Sequence, residues 1–112
     1  MKVEVSSLDN ETIVIQIEHG DTGEIVDYMD QNKNGFAIMG EAVDIPMAVI
    51  DGRLLSEDWF TRDHLLAIEA HELGHIRTGS ADEVTAELEG IRLLEANDRV
   101  TAATILKERG VV

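Results

Sequence analysis

The sequence predicts an α+β fold in a single domain spanning residues 1–112, with strands in the first half and helices in the second. Apolar residues alternate with polar ones along short stretches of the first half, which is typical of half-buried strands. In the second half they recur at helical spacing. A chain of 112 residues can bury one core, and because it has no cysteine a disulfide scaffold is excluded.

Four short strands are predicted in the first half. Val3 and Val5 alternate with charged residues, and Ile13, Ile15 and Ile17 form a second alternating series. The polar turn between these two stretches predicts a hairpin. The predicted strands are residues 2–6, 12–18, 36–39 and 46–50.

A short helix predicted at residues 24–32 leads into a segment with two interpretations. Residues 30–41 fit the spacing of an EF-hand calcium loop, with Gly35 at the sharp turn and Glu41 at the twelfth position. Alternatively, the helix ends at Asn34-Gly35 with Gly35 in the left-handed conformation, and the chain continues into a strand. We favour the helix end over calcium binding, because no helix is predicted after the loop.

The second half is predicted to be helical. Gly79 is expected to end the first long helix, and Ser80 to cap the next, with Glu83 at the capping-box position. Trp59 and Phe60, just before these helices, are expected to anchor the core. The predicted segments are a helical lead-in at 56–60 and helices from Thr61 to Thr78, from the cap Ser80 to Ala96, and from Asn97 or Asp98 to near Gly110.

The charge balance excludes several classes of partner. The chain has 23 acidic residues against nine lysines and arginines, a net charge of −14. Such a surface repels phosphates, so no nucleic-acid partner is expected. No apolar run reaches the roughly 18 residues of a membrane span, and the acidic, alternating N-terminal segment is unlike a signal peptide. We therefore expect no membrane partner and a cytoplasmic location.

One motif carries specific chemistry: the helical segment His71-Glu72-Leu73-Gly74-His75 has the form H-E-x-x-H. Residues four apart lie on one helix face, about 6 Å apart, so the two imidazoles can hold one metal ion. Glu72 lies about 100° further round the helix and can act as a general base without binding the metal. Nitrogen and carboxylate ligands with one open position favour zinc.

A third ligand is predicted from the short turn that follows this helix. Residues equally far from the turn of an antiparallel helix pair lie at similar heights, which puts Glu83 opposite His75. Glu87, one turn further, lies opposite His71 and could hold its free ring nitrogen. We predict Glu83 as the third metal ligand and Glu87 as its supporting neighbour. The alternatives are that Glu83 only closes the capping box, or that Glu87 or Asp82 is the ligand.

The segment 71–75 resembles the active-site helix of zincin metallopeptidases. Thr78 and Ala81 stand where the metzincin branch has glycine and histidine, so that branch is excluded. Residues 83–94 resemble the helix that supplies the glutamate ligand in the gluzincin branch. Over residues 47–96 the chain is similar to small gluzincins from phages and mobile elements.

The resemblance implies a minimal zincin-like domain that cuts a peptide or protein substrate, with Glu72 as the general base toward a water activated by zinc. It also implies an intracellular setting, including that of a phage-infected bacterium. An edge strand at residues 47–50 is expected to pair with an extended substrate, and Tyr28 could stabilise an oxyanion.

Two other functions are compatible with the same residues. One is a catalytically inactive domain in which zinc only holds the fold together. The other is an acidic protein-interaction domain whose activity depends on its surface carboxylates. The sequence leaves the substrate, the cleaved bond and the oligomeric state open.

Overall fold

The computed structural model describes residues 1–32 and 34–109, and it confirms the α+β class. The predicted end of the last helix, near Gly110, lies outside this range. Within the range, no helix has the length and apolar character needed to cross a bilayer. The elements are β1 (Lys2–Val5), β2 (Ile13–Ile17), α1 (Glu24–Asn32), β3 (Gly35–Ile38), β4 (Met47–Asp51), a 3-10 helix (Gly52–Ser56), α2 (Arg62–Thr78), α3 (Glu83–Ala96) and α4 (Val100–Arg109).

The four strands form one mixed sheet in the order β1-β2-β4-β3. The predicted hairpin is confirmed, because β1 pairs with β2 antiparallel. β4 runs parallel to β2 and antiparallel to β3, so it lies inside the sheet. The prediction that residues 47–50 form an edge strand is therefore wrong. The sequence did carry a sign of an interior strand. Ala48, Val49 and Ile50 are consecutive apolar residues, and all three are buried, as in a strand covered on both faces.

The sheet carries an apolar layer on each face. Val14, Ala48 and Ile50 belong to the larger core, which the sheet shares with α2, α3 and α4. The alternate residues of the same strands, including Ile15 and Val49, pack on the opposite face against α1. The two-residue period of a strand sorts the side chains into these layers.

The turn between α1 and β3 resolves the two interpretations of residues 30–41. Asn34, not Gly35, adopts the left-handed conformation, with φ 69°, and Gly35 is the first residue of β3. Asparagine tolerates this region because its short side chain bonds locally. β3 covers residues 35–38 of the calcium pattern, no helix lies in the described residues between β3 and β4, and Asp30 pairs with Arg53 at 2.7 Å. The residues form a helix end that leads into a strand.

The cap of α3 differs from the prediction. Asp82 is the N-cap, and its carboxylate accepts the backbone N–H of Thr85 at 2.8 Å. Ser80 lies two residues earlier, where its hydroxyl accepts the N–H of Asp82 at 3.0 Å. The capping box between Ser80 and Glu83 is therefore wrong: an aspartate nearer the helix outcompetes the serine, and the Glu83 side chain is left for another contact.

Two predictions near residue 60 also need correction. The short helix before α2 covers Gly52–Ser56, not residues 56–60. Phe60 is buried as expected, but Trp59 is 55% exposed and does not anchor the core. The two rings meet edge to face with centroids 5.4 Å apart, so Phe60 fills the core position and Trp59 covers it from outside.

Helices α2 and α3 pack at unusually close range because glycines stand at their crossing. A Cβ built on Gly74 would lie 1.9 Å from the carbonyl oxygen of Ala86, and one on Gly90 would lie 2.8 Å from that of Ala70. Real Cβ atoms do not come this near, so the backbones can approach only where side chains are absent. This approach brings the first turn of α3 against the H-E-x-x-H face of α2.

Candidate metal centre

Three side chains converge where α2 meets the start of α3. Nε2 of His71 lies 3.0 Å from Oε2 of Glu83, and Nε2 of His75 lies 3.1 Å from Oε1 of the same carboxylate. One ligand atom from each residue can be chosen so that all lie within 4.8 Å of one another. The two histidines are buried, whereas the Glu83 side chain is half exposed. A metal ion could be held here.

A hydrogen bond from the His75 ring leaves its Nε2 available to bind a cation. Its Nδ1–H donates to the backbone carbonyl of Ser80 at 2.8 Å, because a carbonyl oxygen can only accept. In the neutral ring Nε2 then carries a lone pair, and this lone pair faces the carboxylate of Glu83. Two acceptors at 3.1 Å repel each other unless a proton or a metal cation lies between them.

Unsatisfied polar atoms on His71 and Glu87 are a second indication of a metal site. Nδ1 of His71 and Oε1 of Glu87 are buried and have no hydrogen-bond partner among the described residues. Burial lowers the pKa of His71, while the hydrogen bond with Glu83 and the negative charges of Glu83 and Glu87 oppose that shift. The predicted hydrogen bond between His71 and Glu87 is not formed. If Nε2 bound a metal, the ring proton would move to Nδ1, where Glu87 could accept it.

Glu72 lies beside the three convergent residues without joining them. It is only 6% exposed, and burial raises the pKa of its carboxyl to about 7. Gly35 makes room for it: a Cβ there would lie 3.3 Å from Cγ of Glu72 and 2.7 Å from Cγ2 of Ile68. The glutamate is therefore held between α2 and the β3 backbone.

An open cleft of about 450 Å³ gives solvent access to Glu72, His75 and Glu83. Glu72, His75 and Glu83 line one side of it, and β3 lines another. Tyr28 lies at the rim, 51% exposed, with its ring edge on against Phe36 at a centroid distance of 4.6 Å. The cleft therefore joins the candidate metal ligands to the free edge of the sheet.

Other residues considered from the sequence lie elsewhere or act differently. Asp82 caps α3, and its carboxylate is bonded to Thr85. The carbonyl of Ser80, which orients His75, gives no sequence signal because every residue has one. Gly35 could be placed on a strand from the sequence, but its proximity to Glu72 depends on tertiary packing.

The donor set fits a borderline metal ion such as zinc: two imidazole nitrogens and one carboxylate, with buried polar atoms unsatisfied around them. A scan of known protein-family models and searches of curated proteins and of solved structures find no match to this chain.

Proposed function

We propose that the chain is a zinc-dependent peptidase in which His71, His75 and Glu83 hold the metal and Glu72 is the general base. The supporting observation is the convergence of three ligand atoms on one point, with a buried carboxyl beside them in an open cleft. A merely structural metal site is usually closed by a fourth protein ligand, whereas a catalytic one keeps a position open.

A zinc ion held there would supply Lewis-acid polarisation of a substrate carbonyl. Glu72 would take a proton from the water that attacks the carbonyl carbon. It would then give that proton to the amine nitrogen as the C–N bond breaks, so the proton count balances. His75, oriented by the Ser80 carbonyl, would keep its ring position during these transfers, and Glu87 would hold the His71 ring once it accepted the Nδ1 proton.

The free edge of β3 is the proposed platform for the substrate backbone. Asp51 N–H donates to the carbonyl of Asn34 at 2.9 Å, and antiparallel hydrogen bonding alternates from there. Phe36 and Ile38 then pair with β4, whereas the backbone groups of Gly35 and Ala37 face outward. An extended peptide could add to this edge beside Glu72.

The test compares the wild-type chain, loaded with one equivalent of zinc, with Glu72→Gln on a broad mixture of unfolded proteins. New peptide termini are identified by mass spectrometry. Cleavage by the wild type and its loss in Glu72→Gln, with zinc retained, is the expected result, and removal of a general base costs about 100-fold or more. Glu108→Gln, at an exposed position of α4, is the matched control.

Equal cleavage by Glu72→Gln and the wild type would remove Glu72 from the mechanism. A wild type that retains zinc and cuts nothing would favour the non-catalytic zinc-binding domain.

A further inference from the structure

An apolar surface adjoins the cleft on the side of α1. We call it the α1–β3 patch, and its lining residues are Glu24, Ile25, Tyr28, Phe36, Ala37, Ile38 and Met39. It forms a shallow depression of about 300 Å³, with Tyr28 half exposed above it. A leucine or phenylalanine side chain would lose much of its contact with water there.

The patch and the cleft are continuous. The two share four lining residues: Tyr28, Phe36, Ala37 and Met39. The apolar patch therefore directly adjoins the cleft that holds the candidate metal ligands. Phe36 and Ile38 pack on the α1 face of the sheet, opposite to the face that meets α2. Because side chains alternate along a strand, a peptide added at β3 would direct every second side chain toward this patch.

The described part of these two surfaces offers acidic side chains to a bound segment. Glu24 lines the patch, and no lysine or arginine is among the described residues that line the cleft or the patch. The chain as a whole carries a net charge of −14. A segment rich in lysine or arginine would be attracted and an acidic one repelled.

From these observations we infer that the site takes an extended basic segment with a large apolar side chain, which the α1–β3 patch receives next to the bond facing the metal centre. The inference rests on the proposed function for the identity of that bond. The selection itself rests on the shape and charge of the surface, so it can be measured by binding alone.

The experiment uses zinc-loaded Glu72→Gln, which should bind peptides without cutting them, and four fluorescent ten-residue peptides. They carry phenylalanine or alanine at the centre, with lysine or glutamate in the flanks. Fluorescence anisotropy should show the phenylalanine–lysine peptide bound most tightly. Replacing phenylalanine by alanine should weaken binding about tenfold. Replacing lysine by glutamate should weaken it as well, by a factor that shrinks as salt is added.

Single variants test whether the α1–β3 patch is the part of the surface that binds the phenylalanine side chain. Tyr28→Ala should bring the phenylalanine peptide close to the affinity of the alanine peptide, whereas Tyr28→Phe keeps the ring and should change little. Val3→Ala is the control, because Val3 is an exposed apolar residue on β1, at the opposite edge of the same sheet. Equal binding of all four peptides, or no effect of Tyr28→Ala, would overturn the inference.

A cleavage assay of the same peptides with the wild type separates the two proposals. Cleavage of all four at similar rates would overturn the selectivity and leave the peptidase standing. Selective binding without cleavage of any peptide would overturn the peptidase and support the binding surface. If no peptide is bound and none is cut, both proposals are overturned.

Discussion

At the scale of single residues, the contacts of Glu83 with both histidines are the main evidence for a metal site. Its two carboxylate oxygens each lie near one imidazole Nε2, so one side chain spans both histidines. Because Asp82 supplies the helix cap, Glu83 is not needed for that purpose. One carboxylate next to both Nε2 atoms lies where a metal ligand shared with the two histidines would lie.

The zinc affinities of single variants should follow this geometry. Glu83→Ala should lose zinc almost as severely as His75→Ala, because each removes one of three protein ligands. Glu87→Ala should weaken binding about 10–100-fold, the usual cost of losing a partner behind a ligating histidine. Competition against a chelator of known affinity gives the ranking, with Glu108→Ala as the control. If Glu87→Ala lost more zinc than Glu83→Ala, the ligand would be Glu87.

The sequence was informative about these residues because the H-E-x-x-H spacing and the short interhelical turn are local. It placed Glu83 opposite His75 by counting from that turn, and the structure brings the two together. It could not give the tautomer of His75, which depends on a backbone carbonyl, nor the lack of a hydrogen-bond partner at Oε1 of Glu87. Such details depend on distances of a few tenths of an ångström, which spacing does not fix.

At the scale of elements, the α2–α3 pair determines whether the ligands meet. Gly74 and Gly90 allow the backbones to touch, and Ala70 and Ala86 supply the facing small surfaces. Substituting alanine for glycine in an open helix stabilises a protein by up to about 1 kcal/mol. At the α2–α3 crossing we expect the same substitution to destabilise the protein.

Gly74→Ala should lower the free energy of unfolding by about 3 kcal/mol, because its Cβ would overlap the carbonyl of Ala86. Gly90→Ala should cost less, since its nearest contact is longer. Urea titration followed by circular dichroism measures both. Thr104→Ala, at an exposed position of α4, is the control and should be neutral or slightly stabilising. A stabilised Gly74→Ala variant would contradict the close approach.

Element types were largely predictable, whereas positions within the sheet were not. Alternation and helical spacing gave the strands and helices within a few residues of their bounds. The prediction of β4 as an edge failed because pairing partners are set by three-dimensional packing. Trp59 was misplaced for a related reason: only one of two adjacent aromatic residues could enter the core, and composition does not say which.

At the scale of the whole molecule, Asp9 links the first hairpin to the helices. Its carboxylate accepts the backbone N–H groups of Glu11 and Thr12, both at 2.9 Å, and lies 3.5 Å from the Arg77 guanidinium. Burial alone would raise the pKa of Asp9, but the hydrogen bonds from Thr12 and Glu11 and the charge of Arg77 outweigh it, so the pKa is lowered.

This shift predicts an acid-dependent contribution to stability. A carboxyl with a lowered folded-state pKa stabilises the fold fully above its ordinary value, here 3.8, and less as pH falls through the lower folded value. Asp9→Asn should therefore cost about 1–3 kcal/mol at neutral pH, and the difference from the wild type should shrink below pH 3.8. Urea titrations across pH measure it. Exposed Asp58→Asn is the control variant. A pH-independent cost of Asp9→Asn would contradict the assignment.

The short separation of the ligands has a consequence for the order of folding. His71 and Glu83 are only twelve positions apart, so closing the loop between them loses little chain entropy. The sheet, by contrast, must bring β2 next to β4 across α1 and β3. A metal ion could therefore capture the α2–α3 hairpin while the strands are still unpaired. We expect zinc to speed refolding in stopped-flow experiments, and a chelator present from the start to slow it.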